Sequence, residues 1–594
     1  MRRAHIRTLA IAVAVTTAAT GLTGTALAGE DRAPATTAVA QSTDIVRAAR
    51  AAAFAHGAAT GVGRGDALQA QDVLIDPEGA RHVRFQRTHR GMPVLGGDLV
   101  IHLTARLTYA GVTRAAGHTV APARAEAALT ARQAEAKAAA VAQGDARDAE
   151  LVVDARRGAS ALAYRIQVTD SATAEGGGSR TVVVDARTGT VRSNLPDSDE
   201  FLSPTLVDEL RERGESLDPA THNAPVPSGL MGSSAAAAAR YPATAKGTGS
   251  SLFAGKVPLT TTRTGRSSYL LKDPTRWGTE TRDAKNLELE NFSRGKKFTT
   301  KNNKWGNGAV SHRASAAVDA QYGITKTLDF YKKSFGRKGI ANNGKGARAM
   351  VHFGKKVDNA FWDPACGCML YGDGDGRTIK KPLVVLDVTG HELTHGIVDA
   401  TARLEPTYVD DEGNQYGEPG SLNESLADIF GSAVEFSANN PKNPPNYLIG
   451  EKLGLRQKFL RRLDKPSLDV LEGAIDYWSP RTDDAEVHAG SGVSSHAYYL
   501  LAEGSGRKKI GSVTYDSPTY TGAPVKGIGR TKATAIFYRA LTRYMVSSTG
   551  FHDARVATLK AARDLYGQNS TEFTTVNKAW AAVNVTSANV PPRR

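Results

Sequence analysis

Asp387-Val388-Thr389-Gly390-His391-Glu392-Leu393-Thr394-His395 follows an apolar run, Leu383-Val384-Val385-Leu386, and carries the pattern H-E-x-x-H. Residues four apart on a helix share a face, so His391 and His395 aim two imidazoles at one point. Zinc accepts such a pair, with histidine nitrogens at about 2.0–2.1 Å. Glu392 then stands beside the metal, placed to take a proton from a bound water. An ordinary amphipathic helix could carry the same five letters. The rest of the chain therefore has to supply a third ligand.

It does so in Asn423-Glu424-Ser425-Leu426-Ala427-Asp428-Ile429-Phe430-Gly431-Ser432-Ala433-Val434-Glu435-Phe436. At about 100° per residue, Glu424, Asp428 and Glu435 fall within roughly 40° on one side of a helix. Leu426, Ile429, Phe430, Ala433 and Phe436 take the other side. An acidic stripe is usually a wet face. Beside an H-E-x-x-H helix, Glu424 completes a His₂Glu zinc shell that leaves a fourth position for water. Asp428, one turn on, accepts a ring N–H from a ligating histidine and fixes its tautomer.

Length and composition set the frame around these two helices. A chain of 594 residues is expected to form two to four units, and 41% apolar residues suffice for packed cores. The net charge of +15 is spread along the chain, apart from a loose cluster between Arg294 and Lys304 that lacks aromatic interleaving, so no nucleic-acid partner is expected. Arg2, Arg3 and Arg7, the small apolar run Leu9 to Thr25 and Ala26-Leu27-Ala28 read as a signal peptide over 1–28. No other stretch approaches the ~18 apolar residues of a membrane span, so the expectation is a secreted, extracellular monomer without a membrane partner. The two cysteines, Cys366 and Cys368, are compatible with a tight local disulfide or with two free thiols. Neither reading makes a catalytic cysteine.

Residues 29–200 alternate extended runs with one Ala/Glu/Arg-rich segment between Pro122 and Ala146 that should be helical, giving α+β material without a cluster of metal ligands. This is either an inert accessory domain or a removable pro-segment. Residues 201–240, with Pro219, Pro225, Pro227 and the run Ala235 to Ala239, read as a flexible linker open to proteolytic nicking. Strand-like runs dominate 241–388, with Asn359-Ala360-Phe361-Trp362 in a loop and helical spacing from Gly308 to Phe335. Long helical segments dominate 389–594. The zinc pattern lies at the junction of the two lobes, where ligand clefts are commonly built.

H-E-L-T-H followed by N-E-x-x-x-D-x-x-G resembles the thermolysin family of secreted neutral metalloendopeptidases, whose His₂Glu site is well known. Val318-Asp319-Ala320-Gln321-Tyr322-Gly323, Asn359-Ala360-Phe361-Trp362, Tyr371-Gly372-Asp373-Gly374-Asp375-Gly376 and Val487-His488-Ala489-Gly490-Ser491-Gly492 extend the likeness over about residues 245–585. The resemblance implies a two-lobe α+β protease, strand-rich then helical, preceded by an α+β pro-domain that assists folding and inhibits until removed. It implies His391, His395 and Glu424 as ligands of one catalytic zinc, Glu392 as general base and His488 as the donor that steadies the oxyanion. Asp483 would orient His488. Asn359, the Ala360 backbone and Arg461 would hold a peptide substrate, and Val388, Ile449 and Leu460 would line a pocket for a bulky apolar residue after the cut bond. Asp387, Glu435, Asn446 and Glu451 match ligands of a single structural calcium, Lys452 opposing a second ion. An insertion between Glu405 and Gln415 leaves the assisting tyrosine open, with Tyr416 nearest in register and Tyr408 its rival. The expected function is a zymogen endopeptidase acting on polypeptides. A non-catalytic secreted binding protein on the same scaffold and a zinc aminopeptidase are the alternatives.

Overall fold

The computed structural model describes residues 35–122, 126–169, 179–213, 241–289 and 291–591. The expected signal peptide and most of the expected linker lie outside them. The expected pro-domain is a nine-stranded sheet in two halves. In the first, the helix Ala35–Ala55 lays Ile45, Ala49 and Ala53 on Val83, Phe85, Ile101 and Leu103. In the second, the helix Ala131–Ala142 sets Ala134 and Ala138 on Leu162, Ile166, Val182 and Val184. That helix is shorter than the composition suggests because Thr130 and Gln133 form a capping box at its start and Gln143 turns left-handed at its end. Met92–Leu95 pairs in parallel with Asp145–Asp154 and welds the halves together.

Two sheets and a set of helices make the remainder. Ala243–Ser250, Lys256–Gly265 and Ser268–Leu270 run antiparallel in a five-stranded sheet, in the region expected to be strand-rich. The helix α2 (Ala314–Phe335) buries Val318, Tyr322, Ile324, Leu328 and Tyr331. A second sheet of seven strands places Arg348–Val351 and Cys368–Tyr371 inside and β2 (Ala360–Asp363) toward one edge. Three residues of the Asn359–Trp362 stretch are thus strand rather than loop, Asn359 standing just before it, with Phe361 and Trp362 buried on alternate faces. Beyond it come α3 (Leu386–Asp399), α4 (Glu418–Ala438) and α5 (Val487–Ala502).

The edge of that sheet is not free. β1 (Asp199–Glu200), at the end of the pro-domain, pairs antiparallel with β2, Glu200 opposite Phe361 and Asp199 opposite Trp362. The chain then enters α1 (Pro204–Arg213), which buries Leu206, Val207 and Leu210 in the core shared with the two lobes that follow. The beginning of the expected linker is therefore ordered structure. Its apolar residues at i, i+1 and i+4 make a narrow stripe within a polar segment, too short to stand out by composition.

The pro-domain also docks far from this strand. Asp76 faces Arg539 (2.8 Å) and Arg543 (3.4 Å), Asp98 accepts from the backbone and hydroxyl of Ser547 (3.1 and 2.6 Å), and Arg84 donates to the carbonyl of Met545 (2.9 Å).

Candidate active site

α3 and α4 cross where two glycines face each other. A Cβ on Gly431 would lie 2.8 Å from the carbonyl oxygen of Asp387, and one on Gly390 would lie 3.0 Å from the Cα of Gly431. The close approach carries Glu424 and Asp428 up to the histidines. Nε2 of His391 and Nε2 of His395 are 3.0 Å apart, and the Glu424 carboxylate lies 3.3 Å from the first and 3.5 Å from the second. All three side chains are buried.

Each histidine has its other nitrogen engaged. Nδ1 of His391 meets Oδ1 of Asp428 at 2.7 Å, and Nδ1 of His395 meets Oδ1 of Asn423 at 3.0 Å. Those oxygens can only accept, so both Nδ1 atoms carry the proton and both Nε2 lone pairs point at the same spot. Two lone pairs and a carboxylate converging without a proton between them repel unless a cation sits among them. Ligands tetrahedral about zinc at the usual bond length lie about 3.3 Å from one another, which the three separations match. Oε2 of Glu424 is buried without a hydrogen-bond partner among the described residues, as a metal-facing oxygen would be. The residues present fit zinc.

Glu392 lies wholly buried beside this triad. Its Oε2 accepts the backbone N–H of Trp362 (2.9 Å), while Oε1 has no partner among the described residues. Burial, and then the charges of Glu424 and Asp199, push its carboxyl well above the ordinary range. A carboxylate with one oxygen fixed and the other bare is poised to hold and deprotonate a water.

His488 sits in the first turn of α5, where the backbone of Val487 onward is already helical. Burial alone would depress it, but the carboxylates of Glu486, Glu424 and Glu472 outweigh that and raise it well above 6.5. Its orienting acid is Glu486, whose oxygens lie 2.9 and 3.0 Å from Nδ1. This corrects the expectation for Asp483, which instead accepts the backbone N–H of Glu418 (3.0 Å) at the start of α4, a place where a helix favours negative charge. The tyrosine expectation is also corrected. The hydroxyl of Tyr416 donates to Asp410 (2.7 Å), and its ring stacks on Tyr408, which is itself 41% exposed. The insertion forms a small hairpin, Tyr408–Val409 with Gln415–Tyr416, that holds both rings on itself.

The expected groups for holding the substrate backbone are all in contact with the chain's own segment Glu200–Leu202. Asn359 accepts the N–H of Leu202 (3.1 Å) and donates to the carbonyl of Leu202 and the carboxylate of Glu200 (both 3.1 Å). The Ala360 carbonyl accepts the N–H of Phe201 at 3.0 Å. Arg461 donates to the Phe201 carbonyl (3.0 Å) and is held by Asp428 (2.8 and 3.0 Å) and by Glu472 (3.1 Å). Val388, Ile449 and Leu460 are fully buried in the same apolar cluster as the Phe201 ring. Asn423, Glu472, Glu486 and the 199–202 segment were not found from sequence. Asn423, directly before Glu424, is the one a pattern could have flagged.

Asp387, Glu435 and Glu451 also come together. Asp387 accepts the N–H of Gly450 (2.6 Å), Glu435 accepts that of Asn446 (3.2 Å), and Asn446 donates to Glu451 (3.1 Å). Burial raises all three acids, Glu451 to about 8; Glu451 and Asp387 also repel Glu435, Asp387 repels Glu451, and Asp428 repels Asp387. The set is looser than the His391–His395–Glu424 group, whose ligand atoms lie within 4.8 Å of one another. Cys366 and Cys368 are joined in a disulfide next to β2, with 5.1 Å between their Cα atoms.

Comparison with known proteins agrees along most of the chain. Residues 246–399 match the model of the thermolysin metallopeptidase catalytic domain and residues 414–585 that of its alpha-helical domain. Residues 66–112 match the fungalysin/thermolysin propeptide motif. The transglutaminase-activating metalloprotease of Streptomyces mobaraensis is 38% identical over 555 residues, 92% of this chain and 64% of that protein. Bacillolysin of Bacillus cereus is 37% identical over 347 residues (57% and 55% of the two chains), and thermolysin of Bacillus caldolyticus 37% over 291 (47% and 48%). The chain thus spans about half to two thirds of the length of these relatives. No helix among the described residues is long and apolar enough to cross a membrane.

Proposed function

The chain belongs to the thermolysin family of metallopeptidases, and from that membership we propose that it is a secreted zinc endopeptidase made as a zymogen, its pro-segment filling its own cleft. The observation that carries the reading is the convergence of His391, His395 and Glu424 on one point beside a carboxylate, Glu392, with one bare oxygen. These three residues would hold the zinc. Bound there, the ion would polarise a scissile carbonyl and lower the pKa of a water.

The chain's own groups supply the rest. Glu392 takes the water's proton and later returns it to the leaving amine. His488, kept protonated by Glu486, donates from Nε2 to the oxygen on which charge develops. Asn359, Ala360 and Arg461 fix the peptide backbone beside β2 as an added strand. Val388, Ile449 and Leu460 wall a pocket that favours a bulky apolar side chain after the cut. Asp387, Glu435, Asn446 and Glu451 hold one calcium, which would offset the repulsion among three buried carboxylates. The signal peptide over 1–28 directs the protein outside the cell.

The cleft also speaks for an endopeptidase over an aminopeptidase, because the chain runs through it from Asp199 to Leu202 without a terminus. The decisive comparison is wild type against Glu392→Gln for casein hydrolysis, each with and without phenanthroline. Activity is expected only in wild type and only without chelator; a Glu392→Gln protein that digests casein normally would overturn the mechanism.

A further inference from the structure

The segment in the cleft is laid out as a substrate and not merely as a plug. A plug could run along the edge of β2 in either direction. This one runs antiparallel, with Glu200 opposite Phe361, and its polar contacts change partner across a single peptide bond. On the N-terminal side, the Glu200 carbonyl oxygen lies 2.8 Å from Nε2 of His488. Since Nδ1 of that ring is engaged by Glu486, a doubly protonated imidazole donates to the carbonyl. Asp199 reaches back to Asn423 (3.2 Å) and lies 3.9 Å from Nδ1 of His395.

On the C-terminal side, the N–H of Phe201 is given to the Ala360 carbonyl and its own carbonyl is taken by Arg461, both at 3.0 Å. Leu202 is clasped at both backbone groups by the Asn359 amide. The Phe201 ring is fully buried, edge-on to His391 with centroids 5.2 Å apart and beneath the Arg461 guanidinium at 5.0 Å. It ends against Gly450, where an added Cβ would meet its Cζ at 3.6 Å. The bulky apolar residue therefore lies beside Arg461 and against Gly450, which Leu460 also faces, at the pocket assigned to the position after the cut. The carbonyl before it is the one His488 holds.

We propose that the Glu200–Phe201 peptide bond is the protein's own first substrate, cut within the precursor by the site it occupies. This rests on the endopeptidase reading above. Water adds its oxygen to the Glu200 carbonyl carbon, the bond from that carbon to the Phe201 nitrogen breaks, and the water's proton passes through Glu392 to the departing nitrogen. The products are a pro-domain ending in a carboxylate at Glu200 and a chain beginning with a free amine at Phe201, still continuous with α1.

The test is timed intact-mass analysis and N-terminal sequencing of the purified, zinc-loaded full-length precursor. The expected earliest fragments are one ending at Glu200 and one starting at Phe201, formed at a rate that does not change on dilution. A Phe201→Asp precursor, which would put a charge in the apolar pocket, should lose this cut by about tenfold or more. Independently of whether that variant folds, mature enzyme should split a blocked peptide spanning residues 195–206 between Glu200 and Phe201. If casein is digested but the first break or the peptide cut falls elsewhere, the assignment of this bond is wrong while the endopeptidase reading stands. If zinc-loaded protein hydrolyses neither casein nor itself, the endopeptidase reading fails as well.

Discussion

Nδ1 of His391 lies 2.7 Å from Oδ1 of Asp428, and the same carboxylate is gripped through both oxygens by Arg461. One buried acid thus connects the proposed zinc ligand to the group that holds the backbone beyond the scissile bond. Burial would raise Asp428, but Arg461 and His391 outweigh it and keep it ionised. Asp428→Ala should free the His391 ring to rotate and lower zinc affinity about 10–100-fold. Competition against a fluorescent chelator reads this directly, and an unchanged affinity would contradict the coupling.

Glu486, and not Asp483, should set the pH range of the mature enzyme. Glu486 raises His488, whose protonated form donates to the oxyanion. Removing that charge in Glu486→Gln lowers the pKa of His488, so the alkaline fall of kcat/KM moves toward acid. The loss at the optimum should be smaller than the roughly 10²–10³-fold cost of deleting the donor in His488→Ala. Asp483→Asn should leave the profile in place. A profile that moves with Asp483 instead would restore the sequence-based expectation.

Closure of the precursor should weaken as pH rises through neutrality. Asp199 and Glu200 are each pushed up to about 7 in the closed form by burial, Asp199 additionally by Glu424 and opposed by His391 and His488. A carboxyl raised on closure binds a proton as the cleft fills. Its contribution is therefore full below the free pKa near 4 and is lost progressively as pH climbs to the closed-form value. Asp199→Asn can keep the contact with Asn423 without the charge. Once nicked, it should release its pro-domain more slowly than wild type at about pH 8 and at a similar rate at about pH 5, as followed by size-exclusion chromatography. Equal rates at both pH values would count against the idea.

Remote docking should matter as much as the cleft. Asp76 meets two arginines of the helical lobe, Arg539 and Arg543, in a buried setting that holds its carboxyl well below the usual range. Asp76→Ala strands those cations, and breaking one side of a buried pair costs about 3–5 kcal/mol. The variant's pro-domain should leave earlier after the cut, visible as earlier casein hydrolysis by the nicked protein, and residues 66–112 should exchange hydrogen faster. Release and exchange equal to wild type would show that the contact is incidental.

What the sequence revealed of this site follows from the range of the interactions. His391, His395, Glu424 and Asp428 were legible because helical periodicity places residues three and four apart on one face, and that geometry needs no knowledge of the rest of the chain. Val388, Ile449, Leu460, Asn359 and Arg461 entered through resemblance, and the structure sets Asn359 and Arg461 on the backbone of Phe201–Leu202 and buries the other three in the same core as the Phe201 ring. Asp483 failed because a fixed offset from His488 says nothing about which of four neighbouring acidic and small residues turns inward across the short helix Thr482–Asp484. Tyr416 failed for a related reason, since an inserted hairpin redirected its ring. The pairing of Asp199–Glu200 with Ala360–Asp363 joins residues some 160 apart, and nothing in either strand's alternation names the other.

The strand that closes the cleft is covalently part of the enzyme at both of its ends, and this gives the zymogen a property that a separate inhibitor lacks. While the chain is whole, the blocking segment faces its site at an effective concentration on the order of millimolar, however thin the surrounding solution. Cutting one bond at its centre converts that fixed internal quantity into an ordinary dissociation constant. From then on the pro-domain departs or stays according to how much volume surrounds the molecule. Crowded precursors would remain quiet after nicking, whereas the same molecules, once dispersed, would be released by dilution alone.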